Sequence, residues 1–278
     1  MCLVQQKLKV TALVPWYGSN RMNAQRVGQL FQDCCWVGLP FAGGMCEIAQ
    51  ITARTIMAND LHRGIISLAK IVKQQGQCKK LLKALRGQLF HPDTLREAQH
   101  RLANGSGKGF QNAMDYFTVA WMSRSCSAGT KAEKKGQLAV RWQATGGDSV
   151  KRYQSAIDSL PAWCEHFQRC QFQTRDCFEF LEKCKDRNNH GIYCDPPFYG
   201  PCGKQYLHNC GDDLVAQAAW HRKLATKLDQ YDRTRIVMRA YDGPFVRQLY
   251  PEPSWTWNCF EGRKQSNDFC PEALIVKN

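Results

Sequence analysis

Gly191-Ile192-Tyr193-Cys194-Asp195-Pro196-Pro197-Phe198 joins an apolar run to a carboxylate, two prolines and an aromatic ring. The run predicts a short buried strand, and the prolines end it. An ionised Asp accepts hydrogen bonds only. Successive prolines fix φ and donate no N–H, which leaves the Pro196 carbonyl available to point outward. Asp195 and Pro196 therefore offer two acceptors to one exocyclic amine, while Pro197 stiffens the turn. Phe198 adds a face for the flat ring that carries the amine. The same residues also suit an ordinary turn closing a strand.

A second segment upstream favours the chemical reading. Trp36-Val37-Gly38-Leu39-Pro40-Phe41 predicts another buried strand, followed by the turn Ala42-Gly43-Gly44 and the helix-prone Glu47-Ile48-Ala49-Gln50-Ile51. The next apolar stretch, Thr55-Ile56-Met57-Ala58, ends at Asn59-Asp60. That places Asp60 close to the offset of about 20 residues at which an acidic side chain meets a ribose in dinucleotide-type folds. Gly43 and Gly44 let a ligand approach the backbone, and Asp60 can accept from its hydroxyls.

Four segments now stand in a telling order: Pro15-Trp16-Tyr17-Gly18-Ser19-Asn20-Arg21, Pro40-Phe41-Ala42-Gly43-Gly44, Asn59-Asp60 and Asp195-Pro196-Pro197-Phe198. In that order the chain resembles the Dam-like (alpha-class) DNA adenine-N6 methyltransferases. The resemblance extends to Phe172-Gln173-Thr174-Arg175-Asp176-Cys177-Phe178, similar to the family segment whose acidic residue holds the cofactor's adenine. It continues through Tyr241–Tyr250 and Glu272–Asn278, which look like the family's closing strands and helix.

The resemblance implies an α/β fold, a Rossmann-like S-adenosylmethionine-dependent methyltransferase sheet with a mainly helical target-recognition insertion carrying a β-hairpin. It implies S-adenosylmethionine as cofactor, double-stranded DNA as partner, and methyl transfer to N6 of a flipped adenine. Asp195, Pro196, Pro197 and Phe198 are the expected catalytic residues. Trp16, Tyr17, Gly18, Asn20, Arg21, Phe41, Ala42, Gly43, Gly44, Asp60, Asp176, Cys177 and Asp195 are the expected cofactor residues.

Two positions depart from the family pattern. Its opening motif usually ends in Gly-Gly-Lys, where this chain has Gly18-Ser19-Asn20 and a basic residue only at Arg21. Either Asn20 or Arg21 then meets the cofactor carboxylate. Phe198 replaces the commoner tyrosine, keeping the stacking face and losing a hydroxyl. Related chemistry on cytosine N4 more often uses serine at the place of Asp195, and methylation of RNA or a protein amide more often uses asparagine there. A silent DNA-binding module is the remaining alternative; the changed opening motif supports it and the two intact motifs oppose it.

Composition agrees with this reading. The chain has 278 residues, enough to bury a substantial core, and 38 Lys+Arg against 24 Asp+Glu give a formal charge of +14. Excess positive charge suits a phosphate-backbone partner. No long apolar span or signal-peptide pattern points to a membrane. The 15 cysteines are scattered without a Cys-x-x-Cys pair, which predicts reduced thiols in a cytoplasmic setting. Cys202, His208 and Cys210 match no standard zinc spacing, so no metal is expected.

The motifs divide the chain into a catalytic part, residues 1–75 and 170–278, and an insertion, residues 76–169. Helices are expected over 64–73 and 215–229, and strands over 235–238 and 273–276. The insertion carries Lys79, Lys80, Lys83, Arg86, Arg96 and Arg101 on helix-like segments, then a glycine-rich stretch from Asn104 to Gly109. From Gly129 to Gly147 its pattern predicts a hairpin. Arg124, Arg141 and Gln143 are candidates for base edges there, and Lys131, Lys134 and Lys135 for phosphates.

Overall fold

Continuous apolar runs in this chain become strands covered on both faces, as parallel sheets require. A computed structural model describes residues 10, 12–107, 109–124, 127–142, 147–263 and 269–277. Among them β1 (Trp36–Leu39), β2 (Thr55–Asn59), β3 (Cys170–Gln173), β4 (His190–Cys194), β5 (Arg235–Tyr241), β6 (Thr256–Arg263) and β7 (Phe269–Lys277) form one sheet in the order β3-β2-β1-β4-β5-β7-β6. The first five run parallel, and β7 lies antiparallel to both β5 and β6. The expected Rossmann-like sheet is therefore present.

The order reverses between β1 and β4, where Trp36 pairs with His190 and Gly38 with Ile192. From β1 the chain steps outward through β2 to β3, then crosses back to β4 on β1's other side. Loops leaving the two strands diverge there and open a crevice beyond their carboxyl ends, the usual ligand position in such sheets.

Strand residues alternate between two cores. Tyr193, Val237 and Val276 join Val37 and Ile56 in one cluster; Ile192, Cys194, Ile236, Met238 and Ile275 form the other. The first is covered by α1 (Ala24–Leu30), α2 (Arg63–Lys73) and the helices that follow α2; the second by α8 (Cys177–Lys183), α9 (Leu214–Asp229) and α10 (Pro244–Leu249). Each fully buried aliphatic side chain contributes roughly 1.5–3 kcal/mol. In α2 the spacing of Ile65, Ile66, Leu68, Ala69 and Val72 puts one apolar stripe inward. Asp213 caps α9 by accepting from the Ala216 amide at 2.8 Å.

Between β2 and β3 lie α2, α3 (Gln75–Arg86), α4 (Pro92–Ala103), α5 (Phe110–Met122), α6 (Ser149–Asp158) and α7 (Leu160–Phe167). Their apolar residues share the first core: Leu85, Leu95, Phe117, Tyr153 and Trp163 belong to the same cluster as Ile56. α5 is buried nearly all round, and its Asp115, with 0% exposure, is held by the fork of Arg101 at 2.9 Å. A buried carboxylate needs such a partner, so this basic residue is engaged within the fold.

Two local expectations change. The helix-prone segment after Gly44 is only a short 3-10 turn, Cys46–Ala49, entered by Met45 at φ +61°. The hairpin is replaced, among the described residues, by a 3-10 turn over Glu133–Lys135 and a bridge between Leu138 and Ser123. Arg124 donates its amide to Gln137 at 2.6 Å and Ala139 donates to Met122 at 2.9 Å. The segment around Leu138 thus spends its backbone pairing on the end of α5 instead of folding on itself. Gln143, Gly146, Lys108, Asn278 and the loop Lys264-Gln265-Ser266 lie outside the described residues.

Candidate active site

One buried side chain stitches together the three loops beyond β1, β2 and β3. Asn59, 1% exposed, donates Nδ2 to the Pro40 carbonyl at 3.1 Å and the Arg175 carbonyl at 3.0 Å, and its Oδ1 accepts from the Arg175 amide at 2.8 Å. An amide side chain with its donors and acceptor so engaged fixes all three loops at little cost.

Asp60 closes the glycine turn. Its Oδ2 accepts from the Gly43 amide and its Oδ1 from the His62 amide, both at 2.9 Å. Gly43 has φ +46°, and an added Cβ would stand 3.1 Å from the Trp16 indole nitrogen. The turn is thus glycine-dependent in both conformation and space. Burial pushes the Asp60 carboxyl up, while the His62 amide and ring and the Gly43 amide hold it down. A carboxylate has about four acceptor positions; the two backbone bonds leave others for hydroxyls. Asp176 caps α8, accepting from the Phe178 amide at 2.8 Å.

These loops surround an open cleft whose lining mixes apolar walls with a few polar groups, the character of small-molecule sites. Trp16, Gly18, Asn20, Phe41, Ala42, Gly43, Gly44, Asp60, Asp176, Cys177 and Asp195 all line it, as does Pro197. Tyr17, Arg21, Pro196 and Phe198 do not. Tyr17 offers its carbonyl to the Tyr206 hydroxyl at 3.2 Å and meets that ring edge-on at 5.1 Å. Arg21 is exposed. Phe198 packs edge-on against Tyr241 at 4.6 Å and beneath the Arg239 guanidinium at 5.0 Å.

At the cleft's inner end the chemistry is acidic around one cation. Arg239, on β5, donates Nη1 to Asp195 Oδ2 at 3.2 Å and to the Gly18 carbonyl at 2.8 Å. Its Nε and Nη2 reach Glu272 Oε2 on β7 at 2.9 and 2.7 Å. Burial raises the Asp195 carboxyl, and Arg239 opposes that rise by charge and hydrogen bond. Burial, reinforced by Asp195, pushes Glu47 up to about 7. Asn20 gives Nδ2 to the Tyr193 hydroxyl at 2.7 Å; its Oδ1 is buried without a partner.

Arg239, Glu47, His62 and Trp220 escaped the sequence reading, although all but Arg239 line the cleft. One signal existed: Arg239 interrupts the apolar run Ile236-Val237-Met238, and a charge inside a buried strand demands a partner. The cation that touches the opening motif is this one, delivered from β5.

The basic candidates are not among the residues that line the cleft. Arg124, Lys131, Lys134, Lys135 and Arg141 are exposed; Lys134 Nζ donates to the Leu102 carbonyl at 3.2 Å and Lys131 lies 3.9 Å from Asp212. Among the described residues no group of three His, Cys, Asp or Glu side chains could hold a metal, and no helix is long and apolar enough to cross a membrane.

Comparison with curated proteins finds no match. The profile of the D12 class N6 adenine-specific DNA methyltransferase family matches residues 26–258. That span covers most of the chain and includes the glycine turn, Asp60, Asp176, Asp195 and Arg239. The chain therefore belongs to the D12 class of N6 adenine-specific DNA methyltransferases, enzymes that methylate adenine in DNA at its exocyclic N6.

Proposed function

We propose that the methyl donor is S-adenosylmethionine, bound in the cleft beside Asp195, and that the acceptor is an adenine flipped out of duplex DNA. The observation that carries this reading is the sharing of one cleft by the glycine turn, Asp60, Asp176 and Asp195. The residues fit that cofactor. Gly43 and Gly44 leave its wall free of Cβ atoms, and Asp60 retains acceptor positions for ribose hydroxyls. Asp176 is an acceptor for the adenine amine, and Phe41 and Trp220 supply aromatic walls. The unpartnered Asn20 Oδ1 and the Glu47 carboxyl make their end of the cleft favourable to a cationic group.

When bound, this cofactor supplies an activated methyl group on a sulfonium, so no covalent enzyme intermediate is needed. The protein's own task is alignment. Asp195 and the Pro196 carbonyl accept the two amino hydrogens of adenine, which draws the nitrogen lone pair out of conjugation. Asp195 is also the acceptor nearest to the proton that the amine must lose. Phe198, held by Tyr241 and Arg239, stacks on a base that enters from its side of Asp195. Extrusion is required because the amine otherwise lies within a base pair. Residues 76–169 serve as the target-recognition region, with the exposed basic residues near 131–141 facing DNA.

Paired substitutions test the division of labour. Asp195→Ala is expected to lower N6-methyladenine formation by at least 10³-fold, the range of a lost general base plus alignment, with S-adenosylmethionine affinity by calorimetry nearly unchanged. Asp60→Ala is expected to weaken that affinity about tenfold or more, the weight of a lost charged hydrogen bond. Normal turnover by Asp195→Ala would falsify the assignment.

A further inference from the structure

Asp195 has a neighbour that no motif assigns. Arg239 is 7% exposed and lies in the carboxyl-terminal half of β5, beside β4, the strand that Asp195 follows. Its guanidinium spans three elements: the Gly18 carbonyl of the opening loop, Asp195 Oδ2 after β4, and Glu272 Oε2 on β7. Burying an arginine is costly unless such partners are present, and a rigid planar fork suits simultaneous contacts where a flexible ammonium would not.

We propose that Arg239 is a positioning residue for methyl transfer, holding the Asp195 carboxylate ionised and turned so that Oδ2 is occupied and Oδ1 is presented to the adenine amine. This inference rests on the reading of Asp195 given above. Glu272 orients the guanidinium by taking Nε and Nη2, which leaves Nη1 to join Asp195 to the opening loop. The same side chain covers the Phe198 ring at 5.0 Å, so one residue fixes the carboxylate, the stacking ring and the loop that walls the cleft.

Other groups facing Asp195 do not replace it. Tyr193 on β4, Tyr206 in the loop near 201–210, Glu47 after β1 and Glu272 on β7 are neutral or acidic. Arg239 is the cation that acts on Asp195 among them. Without it, burial and the Glu272 carboxyl act in the direction of protonating Asp195, and the Tyr193 hydroxyl, a neutral hydrogen-bond donor, is left to oppose them. A protonated Asp195 has surrendered part of its acceptor capacity.

The test is the pH dependence of single-turnover methylation of duplex DNA at saturating S-adenosylmethionine, for wild type, Arg239→Gln, Arg239→Lys and the doubly neutral Arg239→Gln/Glu272→Gln. The double variant keeps the buried charge balanced should the single one fail to fold. In the folded variants lacking a cation the acidic limb of the rate profile is expected to move up by about one pH unit or more, the usual effect of removing an opposite charge at this range. The plateau rate is expected to fall at least tenfold, with the cofactor dissociation constant within threefold of wild type. Arg239→Lys is expected to keep the wild-type limb and recover only part of the plateau. An unmoved limb in the cation-lacking variants, or a loss confined to cofactor affinity, overturns the role of Arg239 while leaving Asp195 in place. Undiminished methylation by Asp195→Asn overturns the reading of Asp195, and that of Arg239 with it.

Discussion

Glu47 lines the cleft with 5% exposure, and no motif in the sequence prepares for a carboxyl there. Burial is the main cause of its raised value of about 7, with Asp195 adding to it; backbone bonding, Arg239 and Asn20 pull the other way. An unfolded glutamate titrates near 4.5. Between these values the folded state binds more protons than the unfolded one, so stability falls as pH rises through the interval and is constant above it. The difference corresponds to something on the order of 3 kcal/mol. Glu47→Gln is therefore expected to be close to neutral in urea-unfolding free energy at pH 4.5 and more stable than wild type at pH 8. Equal stabilities at pH 8 would mean that Glu47 finds compensation when charged. At this scale the sequence made two acceptors easy to read, because Asp60 and Asp195 each follow an apolar run that fixes them at a strand end; Asp176 came from the resemblance of its segment to the family. Glu47 and Arg239 were not legible, because their meaning depends on strands far apart in the chain arriving side by side. Asn59 was visible as the neighbour of Asp60, but its stitching of three loops exists only once those loops meet.

The elements around the cleft are joined at His62, the N-cap of α2. Its Nδ1 accepts from the Ile65 amide at 3.3 Å, so Nε2 carries the hydrogen and faces Glu133 Oε2 at 2.8 Å. Glu133 Oε2 also accepts from the Gly129 amide at 3.0 Å. Gly129 has φ +82°, and a Cβ there would stand 2.4 Å from the Trp16 ring. The Asp60 loop, the opening motif and the 3-10 turn bearing Lys134 and Lys135 thus share one buried contact. Glu133→Ala strands two buried donors and is expected to cost about 3 kcal/mol or more. Hydrogen exchange checks where that loss falls: protection should drop first near 127–136 and 60–66, with β4 and β5 retained. Uniform loss across the sheet would show that the turn is not a separate unit. Strands and the long helices were legible here because apolar runs and stripes carry their own period, as in β1, β4, α2 and α9. The hairpin was not, because alternation around Leu138 fits equally a strand that pairs with its neighbour and one that bridges to Ser123 at the end of α5.

For the whole molecule, the relevant question is how a chain of net charge +14 brings DNA to one cleft. Long-range attraction follows from the total charge, but orientation requires cations beside the opening. Gly129 and Tyr206 both line the cleft. Thr130 bridges to Tyr206, and Lys131 donates its amide to the Gln205 carbonyl at 3.0 Å. The backbone that walls the cleft therefore runs directly into exposed Lys131, Lys134 and Lys135, which places their charge at its rim. Their proposed role as phosphate contacts leads to a quantitative expectation. Each contact contributes about 0.9 to the slope of log affinity against log salt. Replacing all three lysines by alanine should flatten that slope by up to roughly 2.7, weaken binding of matched and unmatched duplexes alike, and leave cofactor affinity unchanged. Fluorescence-anisotropy titrations over a series of salt concentrations measure the slope directly. A slope equal to that of the wild type would move the DNA-facing surface away from this rim, whereas weakening confined to one sequence would make these lysines readers of bases instead of backbone anchors.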